Sequence, residues 1–356
     1  MDSGLEGVVA AETELSHSDG SRGILWVRGH TLAELVADYG YQGAVALLWE
    51  GFCGDGLSRS GIRDRLGAGR EAAFAWIGEW LGPAACRPLA EGVLLALAHL
   101  SEDSTPAAIT AALPVAIAAL VRRGRGEPPV APDPSLGAAA DFLRMLHGAP
   151  AEQAMIDALD TYWTAVIENG LNASSFTARI IASTRASLVA AVVGAYCAFT
   201  GPLHGGAPGP TLDMLDAVAA SGDIGGWIEA KLASGGRLMG FGHRVFRNGD
   251  PRAPALRGAL QRLGPGAGRL AFAAEVEARV AAVFARLKPG RPALQPNVEI
   301  NAALLLDAVG IPREAFNPVF AVGRMPGWLA HAMEQRRTGR LIRPASAYIG
   351  PVPPTA

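Results

Sequence analysis

Lysine is nearly missing from this chain: Lys231 and Lys288 are the only two in 356 residues, so the positive charge is almost entirely arginine. With a formal net charge of −2 and half of the residues apolar, the strongly basic face that grips nucleic-acid phosphates is excluded. Arginine suits instead a two-pronged grip on carboxylates and phosphates where it clusters. Cysteine is scarce as well. Cys53, Cys86 and Cys197 are far apart and odd in number, with no C-x-x-C spacing, which argues against a disulfide framework or a zinc site. A reducing, cytoplasmic setting is the expectation. The opening MDSGLEGVVAAETE is acidic and carries neither the basic region nor the apolar run of a secretory signal. The most apolar stretches, 107–121 and 186–200, fall short of the roughly 20 residues that span a bilayer. They are expected as buried helices, and no membrane partner is expected. HExxH, a phosphate-binding GxxxxGK[ST] and a complete GxGxxG are absent; GPGAGR at 264–269 has glycines without a preceding strand and reads as a turn.

Runs of β-branched residues with period two are also almost absent. Helical spacing replaces them: in RLAFAAEVEARVAAVFARLK, Val276, Val280, Val283 and Leu287 share one face while Glu275, Arg279 and Arg286 lie elsewhere. Similar stripes run through 31–49, 71–81, 89–100, 152–168 and 174–199. The fold class is therefore all-α, with a short hairpin near 10–30. Breaks rich in Gly and Pro fall at 122–135, 200–210, 235–254 and 288–297. They predict a large domain from 1–205 and 308–356 and a smaller inserted one from 206–307, with a cleft at their edges.

Seven histidines are present. His99 and His147 end apolar helical patterns and read as helix-terminal residues. His331 and Glu334 share a helix face, but one such pair cannot hold a metal, and the pair reads as structural. His204 in LHGGAPG and His243 in GFGHRV differ, because glycines on their flanks permit φ > 0 and a close approach of ligand to backbone. The plain alternative is two loop histidines in tight turns; the functional reading is two proton donors facing one cleft. Arg244, Arg247 and Arg252 follow closely, with Arg324 and Arg343 later, and together they suggest an anionic substrate. Glu299 lies in the first turn of a helix that Asn297 caps. There the helix dipole favours an acid in any case, and nearby arginines are expected to keep the carboxylate ionised and ready to accept a proton.

Taken together, LNASSFTARIIAST, GPLHGGA, MGFGHRVFRNGDPRA, PNVEINAALLLDAVGIP and FAVGRMPGWLAHAMEQRRTGRLIRP resemble, in order, the citrate synthase family. The likeness covers most of the chain. It implies a helical homodimer that closes over an acyl-CoA and oxaloacetate or a related 2-oxo acid, without a resident cofactor. His204 would hydrogen-bond the thioester oxygen, Glu299 would remove the α-proton, and His243 would protonate the keto oxygen. Arg252 and Arg324 match arginines that bind carboxylates, Arg343 matches one that reaches the neighbouring subunit's site, and Arg247 matches a position on the CoA phosphate. Two departures stand out. Glu299 occupies a position that is usually aspartate, one methylene or roughly 1.5 Å shorter. Asn169, in ENGLNAS, stands where a histidine would contact the keto acid. Two other readings share these residues: a non-catalytic protein that binds CoA or a carboxylate, and a lyase cleaving a citryl-type thioester.

Overall fold

From Leu32 onwards the chain is mainly helical, as its apolar spacing predicts. A computed structural model describes residues 4, 5, 7–205, 208–242, 246, 249–264, 269–290 and 294–351. Before the helices, strands Ser16–Asp19, Ile24–Val27 and His30–Thr31 form an antiparallel sheet in sequence order, with Ser16 opposite Val27 and Trp26 opposite Thr31. This is the hairpin expected near 10–30.

Three predicted stripes prove to be interrupted. The 31–49 stripe contains a π-helical stretch, Leu35–Tyr39, ahead of the helix Gly40–Trp49. The 71–81 stripe divides at Trp76 between Arg59–Ala75 and Ile77–Ala85. The 174–199 stripe divides into Ala173–Ser183 and Leu188–Phe199, with Arg185 between them at φ 69°. A left-handed residue ends one helix and redirects the chain. The apolar 107–121 run lies inside Pro106–Gly124, which Thr105 caps by accepting from the Ala108 N–H at 3.2 Å. By length and composition this helix could cross a membrane, but 83% of its apolar window is buried inside the protein. It is a core helix.

At the centre lies Phe316–Thr338, 23 residues long and buried over most of its length. Two sequence features make that possible. Pro326 has no N–H, so the carbonyl of Val322 loses its helical partner; the Tyr41 hydroxyl donates to it at 2.9 Å instead. Gly323 and Gly327 form a notch. A side chain on Gly323 would stand 2.6 Å from Val166, and one on Gly327 would strike the Ile167 carbonyl. Their absence lets the end of Gln153–Ala165 dock directly on the central helix. Helix Ala253–Arg262 packs on Gln153–Ala165 from another side and on Val298–Ala308. These four helices frame the site.

Candidate active site

His204 follows the helix Leu188–Phe199 in a turn, and its ring lies edge-on to Phe199 at 5.4 Å. Its partners come from the start of Ala173–Ser183. Asn172 caps that helix, accepting from the N–H groups of Ser174 and Ser175 at 3.2 Å. The same Ser174 N–H points at His204 Nε2 from 3.3 Å, and the Ser174 hydroxyl lies 2.8 Å from that nitrogen. The Trp328 indole donates to the Ser174 oxygen at 3.0 Å. A backbone N–H can only donate, so Nε2 accepts and the ring proton sits on Nδ1. Burial first, and then the positive Arg324, push the imidazole pKa down to about 4. His204 is thus a neutral donor through its Nδ1–H at neutral pH.

Glu299 sits in the first turn of Val298–Ala308, where the Asn297 side chain accepts its N–H at 2.9 Å. The capped end is stitched to the glycine-rich segment. Asn297 N donates to Gly240 O at 2.9 Å, Asn297 Nδ2 donates to Gly242 O at 2.8 Å, and Gly242 N donates to Gln295 O at 2.8 Å. Gly240 and Gly242 have φ of 79° and 75°, and a side chain on Gly240 would run into Ile300. The flanking glycines are therefore required by backbone geometry and by close packing, as anticipated. His243 and Arg247 themselves lie outside the described residues.

The expected charge on Glu299 needs correction. Its Oε2 is shielded from solvent and has no hydrogen-bond partner among the described residues. Burial first, assisted by Asp250, outweighs Arg252 and Arg324 and pushes the pKa up to about 7. The cap and arginines that sequence points to are present, but desolvation dominates.

Arg252 and Arg324 are 3% and 2% exposed. Arg252 grips Asp250 with Nε–Oδ1 at 2.8 Å and Nη2–Oδ2 at 2.7 Å, and the same carboxylate accepts from the Val298 N–H at 3.3 Å. Asp250 thus joins the arginine to the helix of the acid. Arg324 donates from Nε to the Val166 carbonyl at 2.6 Å and lies over the Phe320 ring at 5.4 Å. Burial pulls its pKa down to about 10, against the pull of Glu168. His204, Glu299, Arg252 and Arg324 are linked by mutual electrostatic influence, so the fold assembles four residues that are far apart in sequence. Asn169 lies in the turn after Gln153–Ala165 with its Oδ1 buried and unpartnered. Arg343 is not brought to this cluster within the chain: it is exposed, in the extended segment after Thr338.

Behind the site runs a buried chain that sequence reading treated only as structural. Arg179 Nε donates to His331 Nδ1 at 2.9 Å, and His331 Nε2 meets Glu168 Oε1 at 3.1 Å. Arg179 also pairs with Glu334, while Ser16 donates to Glu168 Oε1 at 3.0 Å. Glu168, Ser174, Tyr162 and Asp250 all face or support the site and were missed. A helix cap at Asn172 was the one local signal pointing to Ser174.

Two buried cations beside an acid whose pKa is raised toward neutrality and a neutral imidazole donor suit acid–base chemistry on an anion. Residues 4–345 match the citrate synthase C-terminal domain. The chain is similar to citrate synthase of Haloferax volcanii, 34% identical with 98% of this chain and 95% of that protein covered. It is also similar to 2-methylcitrate synthase of Mycobacterium tuberculosis, at 33% identity over 98% and 90% of the two chains. Among solved structures, citrate synthase from Thermotoga maritima superposes with a TM-score of 0.85 at 29% identity, covering 99% of this chain and 97% of that one. The chain belongs to the citrate synthase family and is a citrate synthase-like enzyme.

Proposed function

We propose that the enzyme joins the α-carbon of a short acyl-CoA to the keto carbon of oxaloacetate or a close 2-oxo acid, and then releases CoA. A single observation carries this reading: a carboxyl with a shielded oxygen and a pKa of about 7 shares one cluster with a neutral imidazole donor and two buried arginines. A thioester α-proton is too weakly acidic for a free carboxylate. Removal becomes feasible when a donor meets the developing enol oxygen away from water. In this scheme Arg252 and Arg324 hold the carboxylates of the keto acid. The Nδ1–H of His204 hydrogen-bonds the thioester oxygen while Glu299 takes the α-proton. The enol carbon then bonds to the keto carbon, whose oxygen receives a proton from His243. Water next attacks the thioester carbonyl, the C–S bond breaks, and CoA leaves as the thiol.

Further parts rest on the family resemblance. Residues 206–307 act as the smaller, closing domain, Arg247 contacts the CoA phosphate, and the working form is a cytoplasmic homodimer in which Arg343 serves the neighbouring site. No resident cofactor takes part in the scheme. The acyl group is acetyl or propionyl, in keeping with relatives named for citrate and for 2-methylcitrate synthesis. The test is CoA-thiol release across a panel of acyl-CoAs and 2-oxo acids. Release with oxaloacetate plus acetyl- or propionyl-CoA is expected, and silence across the whole panel overturns the reaction.

A further inference from the structure

Tyr162 has a buried polar group that the scheme above leaves unused. It lies in Gln153–Ala165 with none of its surface exposed, its ring 6.1 Å from that of Phe320. Among the described residues its hydroxyl has no hydrogen-bond partner. Buried phenols nearly always find a partner, and an unmet hydroxyl costs stability that phenylalanine would not. Packing alone therefore does not account for tyrosine here.

The fold shows where the hydroxyl belongs. Val166, whose N–H donates to the Tyr162 carbonyl at 3.1 Å, lies one helical turn on. The carbonyl of Val166 fixes Arg324, and Arg324 lies over the same Phe320 ring that Tyr162 packs against. The helix that starts just after Arg252, Ala253–Arg262, packs on the same helix as Tyr162. Glu299, Arg324 and Arg252 are the charges that act on the phenol, and burial with Glu299 holds it protonated, well above its ordinary pKa. The group is a donor with nothing to donate to among the described residues, beside two arginines that are donors as well. Of the acids nearby, Asp250 is taken up by Arg252 and the Val298 N–H; an anionic ligand held by the arginines supplies the phenol with an acceptor.

We propose that Tyr162 is a substrate-binding residue whose O–H donates to a carboxylate oxygen of the 2-oxo acid held by Arg252 and Arg324. The proposal rests on the reaction class above and deepens it. Tyr162 also determines specificity: a 2-oxo acid lacking that carboxylate leaves the phenol buried without an acceptor, which a site rejects more strongly than a change of size.

The test is Tyr162→Phe, which keeps the ring and removes only the oxygen. The KM for oxaloacetate rises about 10- to 100-fold, the worth of one hydrogen bond to a charged group. The KM for the acyl-CoA stays within about twofold. Without ligand the variant melts at or above the wild-type temperature, because an unmet hydroxyl is gone, whereas the increase in Tm that oxaloacetate produces shrinks. An unchanged KM and an unchanged ligand-induced Tm shift overturn the proposal. So does a displaced pH–rate profile with unchanged KM, which would make the phenol a partner of Glu299. The thermal measurement separates this proposal from the reaction. If the wild type releases no CoA, yet oxaloacetate stabilises it and Tyr162→Phe weakens that effect, the reaction fails and the binding role stands. A wild type that neither turns over nor binds oxaloacetate overturns both.

Discussion

Glu168 and Glu299 are two shielded glutamates beside the same arginine, and they end in opposite states. Burial works against the charge of both. At Glu168 it loses: His331 first, then Arg324 and Ser16, hold the carboxyl below its ordinary range. At Glu299 burial prevails, and the pKa reaches about 7. Each has one oxygen shielded from solvent and without a hydrogen bond to the described residues, although Glu168 as a whole is buried and Glu299 only partly so. The difference is the other oxygen of Glu168, which His331 and Ser16 both reach. Position in the fold buries a carboxyl; only its donors decide whether it becomes a fixed charge or a base poised near neutrality.

The sharpest way to break this comparison is to neutralise each acid in turn. Glu299→Gln is expected to cut kcat by about 10²- to 10⁴-fold, with oxaloacetate still raising the Tm; full turnover in that variant would dismiss Glu299 as the base. The supporting chain answers in stability rather than chemistry. Arg179→Met, which leaves His331 and Glu334 without their buried partner, should cost about 3–5 kcal/mol in denaturant unfolding. A variant as stable as wild type would mean that the chain does not hold Glu168. Next comes pH. Glu299 must be ionised to accept a proton, so kcat/KM for the acyl-CoA should climb with pH through a limb near 7 and flatten above it. A limb near 4.5, the carboxyl's ordinary value, would show that the base is not desolvated.

Stability has the opposite sign. Folded Glu299 keeps its proton up to about 7, whereas the unfolded chain releases it near 4.5, so this group favours the folded state at low pH. That contribution fades as pH rises from about 4.5 to about 7. Glu299→Gln should flatten Tm across that window, and an unaltered slope would contradict the shift. Smallest of all, Asn169→His alters which 2-oxo acids release CoA, read on the same substrate panel; an identical ranking would show that the position does not select.

Much of this was legible in the sequence, for particular reasons. The hairpin and most helices could be read because patterning is local: Val276, Val280 and Val283 are buried on one face of Leu270–Leu287, as their spacing predicts. The glycines at 240 and 242 announced a bent backbone and have one. The breaks at Trp76 and Arg185 were hidden, since neither residue is a usual helix terminator. Of the candidate site, Arg252, Arg324, His204 and Glu299, which the structure brings together, could be singled out because glycine, an N-cap or family motifs mark their surroundings. Tyr162, beside them, could not, because in a buried helix it reads like any other apolar-stripe aromatic. The protonation of Glu299 was misjudged for a related reason. Its cap is encoded nearby in the chain, while the desolvation that overrides the cap comes from elements tens to hundreds of residues away.

The carbonyl freed by Pro326 has a consequence in time. Its donor, Tyr41, and the Trp49 indole that donates to Pro326 O leave the ribosome hundreds of residues before the helix they complete. The helix bearing Arg324 is made well after both donors and closes onto segments that have waited for it. A nascent chain that stops short of Arg324 therefore lacks one of the two buried arginines of the candidate site.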